Sequence, residues 1–359
     1  MTIKQKLEKL ALVKDITCVS ISLNTHRTHP DNEQDIVLTK NLLKEAKDRV
    51  INEFGKRDVA QLLENIEAVE NEIDANYNLD SLHIFLSNEV KEVIKSTWKT
   101  NYNSVHISNT FDIRALIKSY NRSQEYYIML LSQSGVHIYS AINDVITGEV
   151  KNEDFPFSEN ILHSTHRGNG SDPKHDDNIV REFLNRVDKA AVRLYNETEL
   201  NFIVICTEDN YSRLMQVADR ANIYIAYAHI NYNNTTKHHI AMQSWNIIKN
   251  KQQESRKQAI TEIKESISSG KVLTDLQEIY QASLDGNGDL LIVKQDFEQA
   301  VMMTSDRTFD LITDKTKANA IDDITSNIAW NVLDKKGRVV FTSMDELNEL
   351  GPIVLKTRY

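Results

Sequence analysis

Cysteine is almost absent from this chain: Cys18 and Cys206 are the only two in 359 residues. Each sits in an apolar, strand-like run, ITCVSISL and FIVICTE. A disulfide framework is thereby excluded, a reducing compartment is favoured, and the two thiols read as buried packing residues. Long hydrophobic runs are lacking too. Nowhere do about 18 apolar residues follow one another, and the N-terminal MTIKQKLEKLALVKD has no apolar core of signal-peptide type, so a cytoplasmic protein without a membrane partner is expected. An excess of positive charge is also missing. With 42 basic and 52 acidic residues the net charge is −10, which excludes a chain that coats nucleic acid by average attraction and leaves only local basic faces for that role. Repeats and low-complexity segments do not occur.

What the chain does have is one unusual stretch, HSTHRGNGSDPKHDDN, from His163 to Asn178. Gly168 and Gly170 permit positive φ, Pro173 argues against a helix across the middle, and no apolar side chain lies between Ile161 and Ile179 to anchor it. A solvent-exposed loop is expected over 163–178, with Asp176 or Asp177 capping the helix that follows. In that helix Ile179, Val180, Phe183, Leu184, Val187, Ala190, Ala191 and Leu194 recur at the three-and-four spacing of a single buried face. The loop is therefore expected on a rigid base.

Around this stretch the periodicities predict an α/β protein with mixed (α+β) sheets and, on a prior of about 150 residues per domain, three domains. Residues 1–121 read as helix, strand, two helices broken near Gly55, and two more strands, Leu82 to Leu86 and Val105 to Ile107. Residues 122–232 read as a hairpin pivoting on Gln133 to Gly135, a third strand, the loop with its helix, and a strand–helix–strand ending at Ala228. Residues 233–359 open with a long charged helix, a plausible connector, and continue as a compact αβα domain with helices over Leu276 to Leu284 and Ile321 to Leu333 and strands over Leu290 to Val293 and Val339 to Phe341.

Several possible sites lack the pattern their chemistry requires. His163, His166 and His175 have no cysteine near them and fit no zinc spacing. The run Asp285-Gly-Asn-Gly-Asp289 resembles the start of a calcium loop but has Leu290 where glycine is needed, and it reads as a helix-to-strand turn. RGNGS lacks the lysine and the strand-to-helix frame of a P-loop. His238 and His239 belong to a solvated helical face, and His26, Arg27 and His29 with Lys40 and Lys44 form at most a small basic patch. No nucleophile, base and orienting acid can be assembled from spacing alone. No metal or other cofactor is expected.

The order of parts resembles the archaeal and eukaryotic class-one peptide release factors and their relative Pelota, and most closely the bacterial group named for that kinship. In those proteins a hairpin leads to a loop ending Gly-Gly-Gln and then to a long helix. Here YYIMLLSQSGVHIYSA leads to THRGNGS and then to DDNIVREFLNRVDKAAVRLY. NFIVICTEDNYSRLMQ, IYIAYAHINYNN and KESISSGKVLTDLQEIYQASLDGNGDLLIVKQD continue the likeness, which covers roughly 126–359, while NTHRTHPDN in the first domain is similar only to the bacterial group. Aligned on His166, Asn169 and Gly170 fall on the two glycines and Ser171 falls on the glutamine. That glutamine places water against the ester of peptidyl-tRNA, and a serine is too short to do the same. The resemblance implies a protein that binds the ribosome and its RNA in rescue, dormancy or a termination-related step without glutamine-dependent hydrolysis, with a translational GTPase as a possible partner of its last domain. Arg167, Gly168, Asn169, Gly170, Ser171 and Lys174 would form the contacting loop, with Arg27 in the first domain. The alternatives are a hydrolase of peptidyl-tRNA or RNA using His166, Ser171 or Asp172, and a non-enzymatic adaptor. Limited proteolysis tests the exposed loop directly. First cleavage is expected within 163–176, and resistance there while the domain linkers are cut would refute it.

Overall fold

The computed structural model describes residues 1–100, 102–132, 135–157, 173–230, 235–313, 320–321, 323–342 and 350–359. Two compact units emerge: one holds Met1–Thr2 with Gln124–Gln252, the other Ile3–Ser123 with Gln253–Tyr359. Among the described residues no helix is long and apolar enough to cross a membrane.

The second unit begins with α1 (Ile3–Leu12), β1 (Lys14–Asn24), α2 (Asn32–Phe54), α3 (Ala60–Glu72), β2 (Ser81–Leu86), β3 (Lys91–Ser96), β4 (Ser104–Thr110) and α4 (Arg114–Arg122). Its four strands form an antiparallel sheet in the order β3-β2-β1-β4. Alternation decides the two faces: Val19, Ile21 and Leu23 of β1 and Leu82, Ile84 and Leu86 of β2 turn to one side, where Leu42, Leu43, Ala46 and Val50 of α2 and Leu62, Ile66 and Val69 of α3 bury them. The break between the helices falls at Gly55, where φ is +75° and the amide donates to Ile51 O at 2.9 Å.

The first unit carries β5 (Glu125–Ser132), β6 (Gly135–Ile142), β7 (Val145–Glu149), α5 (Pro173–Thr198), β8 (Phe202–Ile205), α6 (Glu208–Val217), β9 (Tyr224–Ala228) and the start of α7 (Lys237–Ser266). The sheet order is β7-β6-β5-β8-β9, antiparallel through β5 and parallel beyond it. Helices α5 and α6 cover one face through Phe183, Leu184, Val187, Leu194 and Leu214. Ile240, Trp245 and Ile248 of α7 cover the other. The pivot residues 133–134 lie outside the described residues.

The chain then completes the second unit with the rest of α7, β10 (Val272–Leu273), α8 (Leu276–Leu284), β11 (Gly288–Lys294), β12 (Val301–Ser305), β13 (Thr308–Leu311), β14 (Ala320–Ile321), α9 (Ile324–Asp334), β15 (Arg338–Thr342) and β16 (Ile353–Thr357). The anticipated helices and strands are present as α8, β11, α9 and β15, and five further short strands accompany them. Two sheets result, β10-β16-β11-β15 and β13-β12-β14. DGNGD is a helix-to-strand turn: Gly286 takes φ +73° between α8 and β11. Helices α8 and α9 pack on one face of the first sheet, and Ala259, Ile260 and Ile263 of α7 on the other.

A charge cluster pins α7 to that sheet. Arg338 donates to both Glu262 oxygens at 3.0 and 2.7 Å, and Lys356 donates to Glu262 at 2.7 Å and to Asp289 at 2.8 Å. Hydrogen bonds from Arg338 and then Lys356 hold the Glu262 carboxyl down to about 2, below its ordinary 4.5. A carboxylate depressed on folding contributes stability above its unfolded pKa, and that contribution fades as pH falls through the folded value. Glu262→Gln is therefore expected to melt below the parent near neutral pH, with the two melting curves converging between about pH 4.5 and 2. A gap that stays constant across that window would contradict the assignment.

Candidate functional site

The residues on either side of 158–172 are packed into the core of the first unit. At the near end Phe157 bridges β6, with Val136 N–H donating to Phe157 O and Phe157 N–H to Val136 O, both at 3.0 Å. Asn152 closes the preceding turn by accepting from the amides of Asp154 at 3.0 Å and Phe155 at 2.7 Å. Phe155 is buried, and the Phe157 ring sits edge-on between Phe155, at 5.3 Å, and Phe183 of α5, at 6.0 Å.

At its far end the chain enters α5. Phe183, Leu184, Val187, Ala190, Ala191 and Leu194 are all buried, as their spacing requires. Asp188 shares this face at 1% exposure, accepting from Tyr224 Oη at 2.8 Å and from the Asp219 amide at 2.9 Å. Burial, with Asp188 beside it, pushes the Tyr224 hydroxyl far above its ordinary range, so it serves as a permanent donor. These bonds tie α5 to β9 and to the turn after α6.

One sequence expectation needs correction here. Helix α5 starts at Pro173, not beyond Asn178, so Lys174 and His175 are helical and Asp176 and Asp177 lie inside the helix rather than capping it. Proline is favoured at the first helical position because its missing N–H has no intrahelical partner there and its fixed φ suits the helix. A residue read as a helix breaker is the helix start. Asp177 instead meets Arg213 of α6 at 3.4 Å.

His163, His166, Arg167, Gly168, Asn169, Gly170, Ser171 and Asp172 lie outside the described residues. Among the described residues no group of three His, Cys, Asp or Glu could hold a metal ion. His238 and His239 are exposed in the first turn of α7. Most of the patch around Arg27 is paired: Arg27 donates to both Asp80 oxygens at 3.0 and 2.7 Å, His26 lies 2.9 Å from Asp35, His29 3.5 Å from Glu33 and Lys40 3.3 Å from Glu70. Spacing had not singled out the solvent side of α5, where Arg181, Arg186, Lys189 and Arg193 are exposed. Arg193 is paired with Asp154 at 3.0 Å. The recurrence of basic residues at 181, 186, 189 and 193, off the apolar stripe, was the available signal.

Nor did spacing bring Ser22 and His83 together, yet Ser22 Oγ lies 3.0 Å from His83 Nδ1 and Ser81 Oγ 3.1 Å from Nε2. Ser81 donates to Trp98 O at 2.6 Å, so it accepts from Nε2–H and Ser22 donates to Nδ1. This has the outline of a nucleophile and base, but burial lowers His83 to about 4 and removes its ring from solvent. It is a satisfied core network. Both thiols are likewise buried, with burial pushing Cys18 up to about 11 and Cys206 up to about 12, which keeps them protonated and inert.

By fold, residues 124–252 form an α/β domain whose sheet has an antiparallel and a parallel half, with one long segment spanning from the first half to α5. By sequence, residues 125–287 match the model of bacterial archaeo-eukaryotic release factor family 3. No curated protein matches. Among solved structures the chain is similar to a model of ribosome-bound archaeal Pelota and ABCE1, at 12% identity and a TM-score of 0.40 over 100% of this chain and 94% of that one. It is also similar to Saccharomyces cerevisiae Dom34, at 11% identity and 0.37 over 78% and 74%, and to the archaeal translation termination factor aRF1, at 12% and 0.26 over 99% and 97%.

Asp188→Ala would strand the Tyr224 hydroxyl in the core of this domain and release the amide of the exposed Asp219. A loss of roughly 1–3 kcal/mol in urea unfolding is expected, the cost of one buried polar group left unpaired. Unchanged stability would show that the bonds do not secure α5.

Proposed function

We propose that this chain is a release-factor-like protein that binds the ribosome and acts in rescue, dormancy or a termination-related step, without glutamine-dependent hydrolysis of peptidyl-tRNA. One observation supports the reading: the family match over 125–287 encloses residues 158–172, whose flanks at Phe157 and α5 are both packed in the core, and by the resemblance to the class-one release factors Ser171 stands where those proteins have glutamine. Such mounting suits a loop that must be presented at a fixed point, and serine lacks the amide and the reach to place a water as glutamine does. The cytoplasm and a translational GTPase docking on residues 233–359 belong to the same proposal, with 1–121, 122–232 and 233–359 as its working divisions.

A net charge of −10 leaves the affinity to local cations. Arg167 and Lys174 are assigned the main contacts, Arg181, Arg186 and Lys189 of α5 add a flank, and Arg27 contributes less because Asp80 already offsets its charge. Replacing Arg167 and Lys174 together with alanine should weaken co-sedimentation with 70S ribosomes and flatten its salt dependence by roughly one to two units of slope. Thermal stability should barely change, since the two charges are assigned to binding and not to the fold. Identical co-sedimentation of the double variant across a salt series would remove these residues from the binding surface.

On stop-codon-programmed ribosomes the chain should release little peptide, and Asn169→Gly with Ser171→Gln should raise release. Robust release by the unaltered chain, lost in Ser171→Ala, would replace this proposal with a hydrolase using Ser171, and His166 or Asp172 beside it. Absence of any ribosome association would leave the adaptor reading.

A further inference from the structure

Within the second unit a cleft of about 490 Å³ opens between β4–α4 on one side and α8, β14 and α9 on the other. Small-molecule sites occupy roughly 300–1,000 Å³, so the volume admits an ordinary metabolite. Its walls are held apart by fixed contacts. Tyr120 of α4 meets Trp330 of α9 edge-on at 6.2 Å, and Arg114 donates to Ala320 O at 3.3 Å. Arg122 is stacked over Phe341 at 4.6 Å and over Trp98 at 5.7 Å. A cleft propped in this way is preformed.

The lining states what it would take. Phe111, Ile117, Leu284 and Trp330 offer apolar and aromatic surface suited to the faces of a flat ring. Asn327, half-buried in the same wall, has no hydrogen-bond partner among the described residues, so its amide presents one donor and one acceptor side by side. That pair matches the N6 and N7 edge of adenine, which accepts from and donates to a carboxamide at once. Charge gives an anionic ligand little hold. Arg114, the guanidinium on the lining, is held by Asp112 through Nε at 2.8 Å and Nη2 at 2.6 Å, which offsets its charge, and the other basic side chain on the lining is His106. Asp112 can still accept from ribose hydroxyls.

We propose that this cleft binds an uncharged adenine nucleoside, with the base against Trp330 and its edge on Asn327. The inference does not depend on the ribosome reading. It is tested by calorimetric titration of the full chain with adenosine, guanosine and AMP. Saturable one-to-one binding of adenosine is expected, at least about tenfold tighter than guanosine, whose N7 and O6 edge offers only acceptors. AMP should bind no tighter than adenosine. Asn327→Leu, checked for folding by its melting curve, should weaken adenosine about tenfold or more, and Ile113→Trp, which fills the cleft without touching Asn327, should abolish it. No saturable heat with adenosine would overturn the proposal, as would undiminished binding in either folded variant. Tighter binding of AMP than of adenosine would overturn the uncharged class.

Discussion

The contact between Phe157 and Phe183 joins what comes before the 158–172 segment to what comes after it. Phe183 lies on the buried stripe of α5, and Phe157 is fastened to β6 by two backbone hydrogen bonds. One aromatic pair therefore fixes the two ends of the segment to a single core. Without it, α5 would still pack through Leu184 and Val187, but the chain leaving β7 would lose its seat beside the helix that receives it. Asp188 extends the constraint to the edge strand β9 through Tyr224. A polar residue on an apolar stripe is costly unless every lone pair is used, and here both carboxylate oxygens accept. The anchoring of the residues that flank 158–172 thus rests on packing laid down some fifteen residues away in sequence.

Much of this was legible beforehand because it depends on periodicity. The stripe from Phe183 to Leu194, the break at Gly55 and the turn at Gly286 each follow from local chemistry that no distant partner overrides. What escaped was set by tertiary context. Strand β3, KEVIKS, carries Lys91 and Lys95 on one face and exists because it pairs with β2; the short strands β12 and β13 exist through their own antiparallel pairing. Helix α4 was hidden by its polar sequence, RALIKSYNR, although Leu116, Ile117, Lys118 and Ser119 are all buried. Pro173 was misjudged because the same ring that forbids a helix interior favours a helix start. The candidate site was legible only as a motif: family resemblance pointed to the segment, while the exposed cations of α5 needed the helix to be seen in place.

Electrostatics shows the same division. Sequence could place Arg27 in a basic cluster, but not reveal that Asp80, Asp35, Glu33 and Glu70 lie against Arg27, His26, His29 and Lys40. The acidic surplus is thus spread through pairings that offset local positive charge. Lys118, nearly buried, is paired with Glu298, and Arg307 with Asp285. In a chain of this composition, a basic face means cations that lack such a neighbour.

The order of units along the chain has its own physical consequence. Residues 124–252 interrupt the second unit, leaving after Ser123 and rejoining at Gln253. Gln252 donates to Gln124 at 3.2 Å, so the two ends of the first unit adjoin. Adjoining ends are what allow one domain to sit within the sequence of another without straining either core, because the host chain is interrupted at a single place. Arg122, two residues before the insertion, is stacked between Trp98 and Phe341, drawn from the stretches on either side of it. The host core is therefore closed across the insertion by its own contacts. The segment 158–172 and the cleft beside Asn327 consequently belong to different cores, and a change in one can be studied without dismantling the other.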